Sequence, residues 1–255
     1  RRQRTRHCGN GRRRELERAH SRTGGSDAPA ERHDLLALLM SAKDEDTGSG
    51  MSDTQLRDEV TTLVLAGHET TANLLTWAIY LVSTRPEVEA RLVAEANAVL
   101  GDRTPTFKDL TALKYTRAVI DEVMRLYPPA WVVERQAIEP DVVMGYRIPA
   151  RAILAVSPYL IHRHPDYWPN PEAFDPERFM TEADPNRPRY AYIPFGAGPR
   201  FCIGNNFALM EAQLVLAMVF RSARFALRPG HRIELEPLIT LRPKGGMPMT
   251  MALRT

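Results

Sequence analysis

The longest regular pattern in this chain is a stretch of about thirty residues that predicts a single helix. Ser52 and Gln55 form the pattern of a capping box at its start, and Pro86 follows its end at about Thr84. At 1.5 Å of rise per residue, such a helix is roughly 45–50 Å long. Its apolar residues recur on almost every side, so we expect it to run through a core.

The rest of the chain divides into helical and irregular parts. Proline and glycine punctuation predicts four further helices: Asp34–Met40, Pro86–Leu100, Tyr115–Tyr127 and Asn206 to about Ser222. Short β-type pieces are predicted at Val142–Tyr146, Ile153–Val156, Ile233–Leu235 and Met249–Leu253. Eight prolines between positions 165 and 199 predict a coil fixed to the surface of the helical body. The predicted fold class is therefore mainly α with small β-sheets.

Composition excludes several classes of protein. The chain has 255 residues, 44% hydrophobic and 25% charged, which is typical of a globular protein. It contains no run of 18 or more apolar residues, so we expect no transmembrane helix and no membrane partner. Its two cysteines, Cys8 and Cys202, are far apart. This argues against a disulfide scaffold and predicts a cytoplasmic protein.

Residues 1–32 form a basic segment with ten arginines and four acidic residues, a net charge of +6. We interpret it as a separate N-terminal segment that is poorly ordered or partly helical, followed by one domain over residues 33–255. A solvated helix end and linker explains the charge better than an arm that binds nucleic acid or an acidic membrane surface. Because the chain begins with arginine, we expect it to be part of a longer protein or to carry non-native first residues.

The chemistry of the chain centres on Cys202. Glycines and a proline bend the chain before it, Gly204 follows, and a predicted helix begins directly afterwards. The positive end of the helix dipole favours thiolate over thiol. A nucleophilic cysteine needs a histidine base, and none lies nearby in the sequence. A single thiolate is enough to bind the iron of a haem, and Arg200 can bind one of the haem propionates. The alternative is a buried structural cysteine. The flanking glycines and arginine favour haem binding over that alternative.

The string Phe195-x-x-Gly198-x-Arg200-x-Cys202-x-Gly204 resembles the signature of the cytochrome P-450 family, the thiolate-haem monooxygenases. The resemblance extends from about Asp34 to the C-terminus. It implies a cytochrome P-450 fold truncated at its N-terminal side, with residues 33–255 as the C-terminal haem-binding portion. The implied cofactor is haem b (iron protoporphyrin IX), with Cys202 as the iron ligand. The implied cofactor-binding residues are Cys202, Arg200, Arg135, Phe195, Gly204 and Ala66.

A second motif, Ala66-Gly-His-Glu-Thr-Thr71, interrupts the long apolar helix with a glycine and polar side chains. Burying such groups is costly unless they are paired or used, so the motif predicts a local opening in the helix. By resemblance, Glu69 and Thr70 are catalytic, with Thr70 bonding to dioxygen and Glu69 relaying protons. A kinked helix whose polar groups are all satisfied is the alternative.

A third motif places Glu122 and Arg125 on one helix face at i,i+3 spacing. Taken alone, this spacing is a weak signal of a surface pair. By resemblance, the pair is buried, is joined by Arg178, and locks the proline-rich coil onto the helix, which is a structural role. Arg135 is either a propionate ligand, as the resemblance implies, or a surface arginine. We interpret His162 and His164 as packing or surface residues rather than ligands.

The resemblance implies a monooxygenase that inserts one oxygen atom of O2 into a C–H bond of a hydrophobic small molecule. Ala130–Val133 and Leu238–Thr240 are expected to line its substrate pocket. Electrons from NAD(P)H must arrive through a separate ferredoxin or flavodoxin-type donor, since the chain contains no flavin or iron–sulfur motif. The alternatives are a haem-thiolate peroxygenase or isomerase, and an inactive fragment that lacks the substrate-recognition half. Such a remnant fused to a nucleic-acid-binding arm is disfavoured.

Overall fold

The computed structural model describes residues 34–180 and 187–254, so the predicted basic segment 1–32 lies outside the described residues. The chain divides into two compact units, residues 1–61 and 62–255. In the first unit, helix α1 spans Leu35–Ser41, and the Asp34 side chain accepts a hydrogen bond from the backbone N–H of Ala37. The next helix begins with the predicted capping box, because Ser52 and Gln55 each bind the other's backbone N–H.

The predicted helices are confirmed, with ends that shift by about one residue. Helices α2 to α6 span Asp53–Ser83, Pro86–Leu100, Lys114–Leu126, Pro158–Ile161 and Asn205–Ser222. Gly101 ends α3 with a positive φ of 52°, a conformation that glycine adopts without strain. None of the helices in the described ranges is both long enough and apolar enough to cross a membrane.

Within residues 34–180 and 187–254, the strands form four separate two-stranded antiparallel sheets, β1 with β4, β2 with β3, β5 with β8, and β6 with β7. The eight strands are, in order, Val133–Gln136, Asp141–Val143, Tyr146–Ile148, Ile153–Val156, Ala223–Leu227, Leu235–Pro237, Leu241–Pro243 and Met249–Leu253. The fold class, mainly α with small sheets, is confirmed. The single strand predicted over Val142–Tyr146 is wrong, because Met144 and Gly145 both have positive φ and turn the chain into a hairpin.

The hydrophobic core of the second unit lies where the second half of α2 meets α4 and α6. Trp77 of α2, Ile120 of α4 and Phe220 of α6 have no solvent exposure. The Trp77 ring stacks on Tyr127 with 4.2 Å between ring centroids, which closes the end of α4 against α2. The site residues are therefore carried by helices whose packing fixes their positions.

The expectation that α2 runs through a core holds only for its second half. Its buried residues run from Thr71 to Val82, whereas Val64 is 61% and Leu65 is 67% exposed. An apolar pattern predicts only that a helix face packs against other apolar groups. It does not specify whether those groups belong to the same chain. Among the described residues of the second unit, packing side chains meet the second half of α2.

The proline-rich coil packs onto α4 as predicted. It contains short 3-10 turns, among them Pro176–Phe179, which contacts α4. Trp168 is its fully buried anchor, and the indole N–H donates to the carbonyl of Ala191 at 3.2 Å. Residues 181–186 within the coil are outside the described ranges.

Candidate functional site

The loop that carries Cys202 has a conformation that only its glycines adopt without strain. Gly196 and Gly198 have φ values of 74° and 72°, in the left-handed region. The turn Gly198–Arg200 then leads to Cys202, whose backbone N–H donates to the Phe195 carbonyl at 3.1 Å. This bond closes the loop and presents the cysteine side chain, which is free and exposed, just before α6 begins at Asn205.

The surroundings of the sulfur are apolar and open. Phe201 and Phe207 are exposed, and Ile203 is 93% exposed. The Phe195 and Phe201 rings lie 6.4 Å apart in an edge-to-face arrangement. A Cβ atom added at Gly204 would lie 3.9 Å from the sulfur, so the glycine keeps that side of the sulfur open. The sequence thus places a sulfur donor within an uncovered apolar surface, which is an unfavourable arrangement unless a ligand covers it.

The two arginines predicted to bind propionates lie on separate elements. Arg200 is exposed at the end of the turn before Cys202. Arg135 lies on β1, is also exposed, and donates one hydrogen bond to the carbonyl of Glu134 at 2.7 Å. Both guanidinium groups are thus accessible to an anionic ligand. Their shared role in binding one cofactor stays a prediction.

The Ala66–Thr71 motif lies at the boundary between the exposed and the buried halves of α2. Ala66 is exposed, and Glu69 and Thr70 are half-buried. The Thr70 hydroxyl donates to the carbonyl of Ala66, one turn earlier, at 2.5 Å. The helix continues without interruption through this turn, from Asp53 to Ser83. The Thr70 hydroxyl therefore has a hydrogen-bond acceptor within its own helix.

Glu69 has a partner that the sequence motifs did not indicate. The Thr240 hydroxyl donates to Glu69 Oε1 at 2.7 Å, and the Asn73 amide donates to the same hydroxyl at 3.0 Å. Thr240 lies in the turn between β6 and β7 and is 171 positions from Glu69. The only signals in the sequence were the i,i+4 spacing of Glu69 and Asn73 and one hydroxyl within the apolar run Leu238–Leu241.

Glu122, Arg125 and Arg178 lie together. Arg125 binds both oxygens of Glu122, at 2.7 and 2.8 Å, and neither side chain has any solvent exposure. Arg178 Nε lies 3.4 Å from Glu122 Oε1. The remaining Arg125 donors bind three backbone carbonyls, that of His162 directly after α5 and those of Pro171 and Ala173 in the coil. Burial raises the pKa of Glu122, and the hydrogen bonds from Arg125 oppose that rise.

His162 is a buried neutral side chain that links the end of α5 to the part of the coil leading to Cys202. Its Nε2 accepts a hydrogen bond from the backbone N–H of Ile193 at 2.8 Å. Burial, together with the positive charge of Arg125, lowers the pKa of His162 to about 3. No group of three or more potential metal ligands occurs among the described His, Cys, Asp and Glu residues.

The residues around Cys202 fit a haem in their chemistry. The free, exposed sulfur would supply one ligand to the iron, the exposed apolar side chains would pack against the porphyrin, and the exposed arginines would bind its carboxylates. A site built on one cysteine sulfur, rather than on a cluster of ligands, is typical of the thiolate-haem class.

Comparison with known proteins identifies the family. Residues 3–248 match the family profile described as "Cytochrome P450". Cyclooctatin synthase of Streptomyces melanosporofaciens is 43% identical over 211 residues, which cover 83% of this chain and 46% of that protein. The chain therefore belongs to the cytochrome P450 family.

Further matches are of the same kind. Cytochrome P450 4V2 of Homo sapiens is 39% identical over 229 residues, 88% of this chain and 43% of that protein. The crystal structure of the cytochrome P450DA heme domain matches with a TM-score of 0.81 and 32% identity, and the match covers 94% of this chain and 52% of that one. The chain thus spans about half the length of the relatives that it matches.

Proposed function

We propose that this chain forms the haem-binding part of a monooxygenase that inserts one atom of O2 into a C–H bond of a hydrophobic small molecule. The observation that carries the proposal is the free, exposed Cys202 sulfur in its glycine-shaped loop at the start of α6. The name of a relative supports the reaction type. Cyclooctat-9-en-7-ol 5-monooxygenase of Streptomyces melanosporofaciens is 41% identical over 200 residues, 78% of this chain.

The cofactor that we propose is haem b, whose iron the Cys202 thiolate would bind. Arg200 and Arg135 would bind its carboxylates, and Phe195, Gly204 and Ala66 would flank it. When bound, a thiolate-ligated haem supplies the activation of O2. The chain's own contribution is to hold the thiolate in a loop fixed by the backbone bond from Cys202 to Phe195.

Glu69 and Thr70 are the proposed catalytic pair. The Thr70 hydroxyl, which donates to Ala66 within its own helix, can rotate to donate to a ligand instead. Glu69 is half-buried on the same helix, so its carboxylate can exchange protons with water outside and pass them inward. The two residues would thereby direct protons to the site of O2 reduction and limit the release of peroxide.

We propose a separate electron donor of the ferredoxin or flavodoxin type. A groove of about 670 Å³ runs between the starts of α4 and α6, and its lining includes Asn206, four residues after Cys202. Lys114 and Arg117 line it and are exposed. An acidic donor would associate with this face at a rate that falls as salt rises. The predicted cytoplasmic location agrees with such a donor.

The substrate that we propose is apolar. Ala130–Val133 and the turn Leu238–Thr240 are the predicted pocket segments. They lie against each other, because the Trp131 indole N–H donates to the Leu238 carbonyl at 2.8 Å. In the turn, Leu238 is exposed and Ile239 is 93% exposed. Such uncovered apolar side chains favour contact with a hydrophobic molecule.

The test is the absorption spectrum of the reduced, carbon-monoxide-bound holoprotein, made from the complete gene. We expect the red-shifted band of thiolate ligation, its loss in Cys202→Ser, and its retention in Cys8→Ser, which removes the other cysteine of the chain. A band typical of imidazole ligation, or an unchanged spectrum in Cys202→Ser, would refute the assignment. O2-dependent product formation with NAD(P)H and a donor protein distinguishes the monooxygenase from a peroxygenase that works with peroxide alone.

A further inference from the structure

One face of α2 holds the hairpin of β6 and β7 through three side chains at successive helical turns. Glu69 and Asn73 both bind the Thr240 hydroxyl. Trp77, one turn further along, donates from its indole N–H to the carbonyl of Leu241 at 3.1 Å. Residues at i, i+4 and i+8 share one helix face, so the hairpin lies along the face that carries Glu69.

The hydrogen bonds at Thr240 have a fixed direction. A threonine hydroxyl has one proton to donate, and an amide nitrogen only donates. Since the Asn73 Nδ2 donates to the Thr240 oxygen, the hydroxyl proton is free to point at Glu69 Oε1. Asn73 thus orients Thr240, and Thr240 supplies the carboxylate with a donor in a defined position. Proton exchange at Glu69 is then left to its other oxygen, Oε2.

Thr240 cannot easily follow the carboxylate if Glu69 moves. Its side chain is buried, with 5% exposure. The hairpin is also fixed on the side away from α2, because the Leu241 N–H donates to the Pro129 carbonyl at 3.0 Å and Trp131 binds the Leu238 carbonyl. A buried hydroxyl that loses its acceptor is left unsatisfied, at a free-energy cost. Thr240 therefore holds Glu69 rather than adapting to it.

We propose that Thr240, oriented by Asn73, is a positioning residue that fixes the direction of the Glu69 carboxylate and so determines which oxygen relays protons. This inference rests on the proposed function of Glu69. It also explains why one polar residue occurs in the turn whose neighbours, Leu238 and Ile239, are apolar and exposed. The same turn that contacts the substrate would then set the position of the proton relay.

The test compares Thr240→Val, which keeps the shape but removes the hydroxyl, with Thr240→Ser, which keeps the hydroxyl. Crystal structures of the two holoproteins report the position of Glu69 directly. We expect a changed Glu69 rotamer in Thr240→Val and the original one in Thr240→Ser. If the valine variant is not recovered folded, Thr240→Ala removes the same hydroxyl. A Glu69 carboxylate that keeps its position without the hydroxyl overturns the proposal.

The functional measurement is the fraction of NAD(P)H electrons that ends in peroxide rather than product. We expect the ratio of peroxide to product to rise by about tenfold in Thr240→Val, because the loss of one ordinary hydrogen bond changes an equilibrium by about that factor. In Thr240→Ser we expect the ratio to equal that of the wild type. Arg242→Ala is the control, since Arg242 belongs to the same hairpin but pairs with Glu236. A serine variant that behaves like the valine variant overturns the proposal. A wild-type protein without O2-dependent product would refute the proposed function instead, and the crystal structures would still decide the role of Thr240.

Discussion

Arg125 and Glu122 form a two-point ion pair from which solvent is excluded, with Nε–Oε2 and Nη2–Oε1 distances of 2.7 and 2.8 Å. Arg125→Ala leaves the Glu122 charge buried and also removes donors from three backbone carbonyls, two of them in the coil. We expect a loss of about 3–5 kcal/mol in the free energy of unfolding, measured by denaturant titration of the holoprotein. We also expect weaker haem retention, because the coil leads to the loop that carries Cys202.

Lys244 offers an exposed control for the buried pair of Arg125. It pairs with Glu234 at 3.1 Å, and the two side chains are 62% and 64% exposed, so water replaces the lost partner. We expect Lys244→Ala to cost less than about 1 kcal/mol. Equal losses in the two variants would show that burial does not increase the contribution of the Arg125 pair to the free energy of unfolding.

Glu95 of α3 caps the start of α4, 20 residues further along the chain. One of its oxygens accepts the backbone N–H of Tyr115, and the other accepts both the N–H and the hydroxyl of Thr116. We expect Glu95→Ala to lower the free energy of unfolding by about 1–2 kcal/mol, because it uncovers helix-terminal N–H groups. Glu95→Gln keeps one acceptor oxygen, so its loss should be intermediate. Thermal unfolding that is unchanged in the alanine variant would contradict the capping role.

The helices of this fold were predictable because residues within or next to the terminal turns determine where each helix begins and ends. Pro86 and Gly101 bound α3, and the pair Ser52 and Gln55 starts α2. Each signal acts through the backbone of its own turn, so no distant residue needs to be known. Three strands were missed: Val133–Gln136, Ala223–Leu227 and Leu241–Pro243. They are short, and each becomes a strand by pairing with another segment rather than through a signal of its own.

The site was predictable to the extent that it lies within motifs. The loop around Cys202 and the pair Glu122 and Arg125 are each contained in a few residues. The bond between Glu69 and Thr240 joins positions 171 residues apart, and no local pattern pairs them. The exposure of the first half of α2 could not be predicted either, because an apolar sequence does not specify which surface packs against it.

His162 makes the stability of this protein depend on pH. Its pKa is about 3 in the folded protein, because burial and the charge of Arg125 oppose protonation, whereas an unperturbed histidine titrates near 6.5. The unfolded chain therefore binds the extra proton first. This contribution to stability is complete above about pH 6.5 and is lost as pH falls toward 3. We expect the free energy of unfolding to fall by up to about 1.4 kcal/mol per pH unit in this window from His162 alone.

The contribution of His162 is isolated by comparing pH-stability curves of variants. His162→Gln should flatten the fall below pH 6.5, since glutamine carries no titrating group. His164→Gln, at a half-exposed side chain close by, should leave the curve unchanged. Parallel curves for the wild type and His162→Gln between about pH 4 and 6 would show that the buried ring does not stay neutral.

Thr70 is expected to determine how O2 reduction divides between product and peroxide. Its hydroxyl donates to Ala66 within α2 and is the proposed donor to the site of O2 reduction. Thr70→Ala removes that donor without altering the Cys202 loop, so the carbon-monoxide spectrum should stay unchanged while electrons from NAD(P)H are diverted to peroxide. We expect the ratio of peroxide to product to rise about tenfold, and Thr70→Ser to restore it. Both products are quantified per NAD(P)H consumed, and tight coupling in Thr70→Ala would remove Thr70 from the proton path.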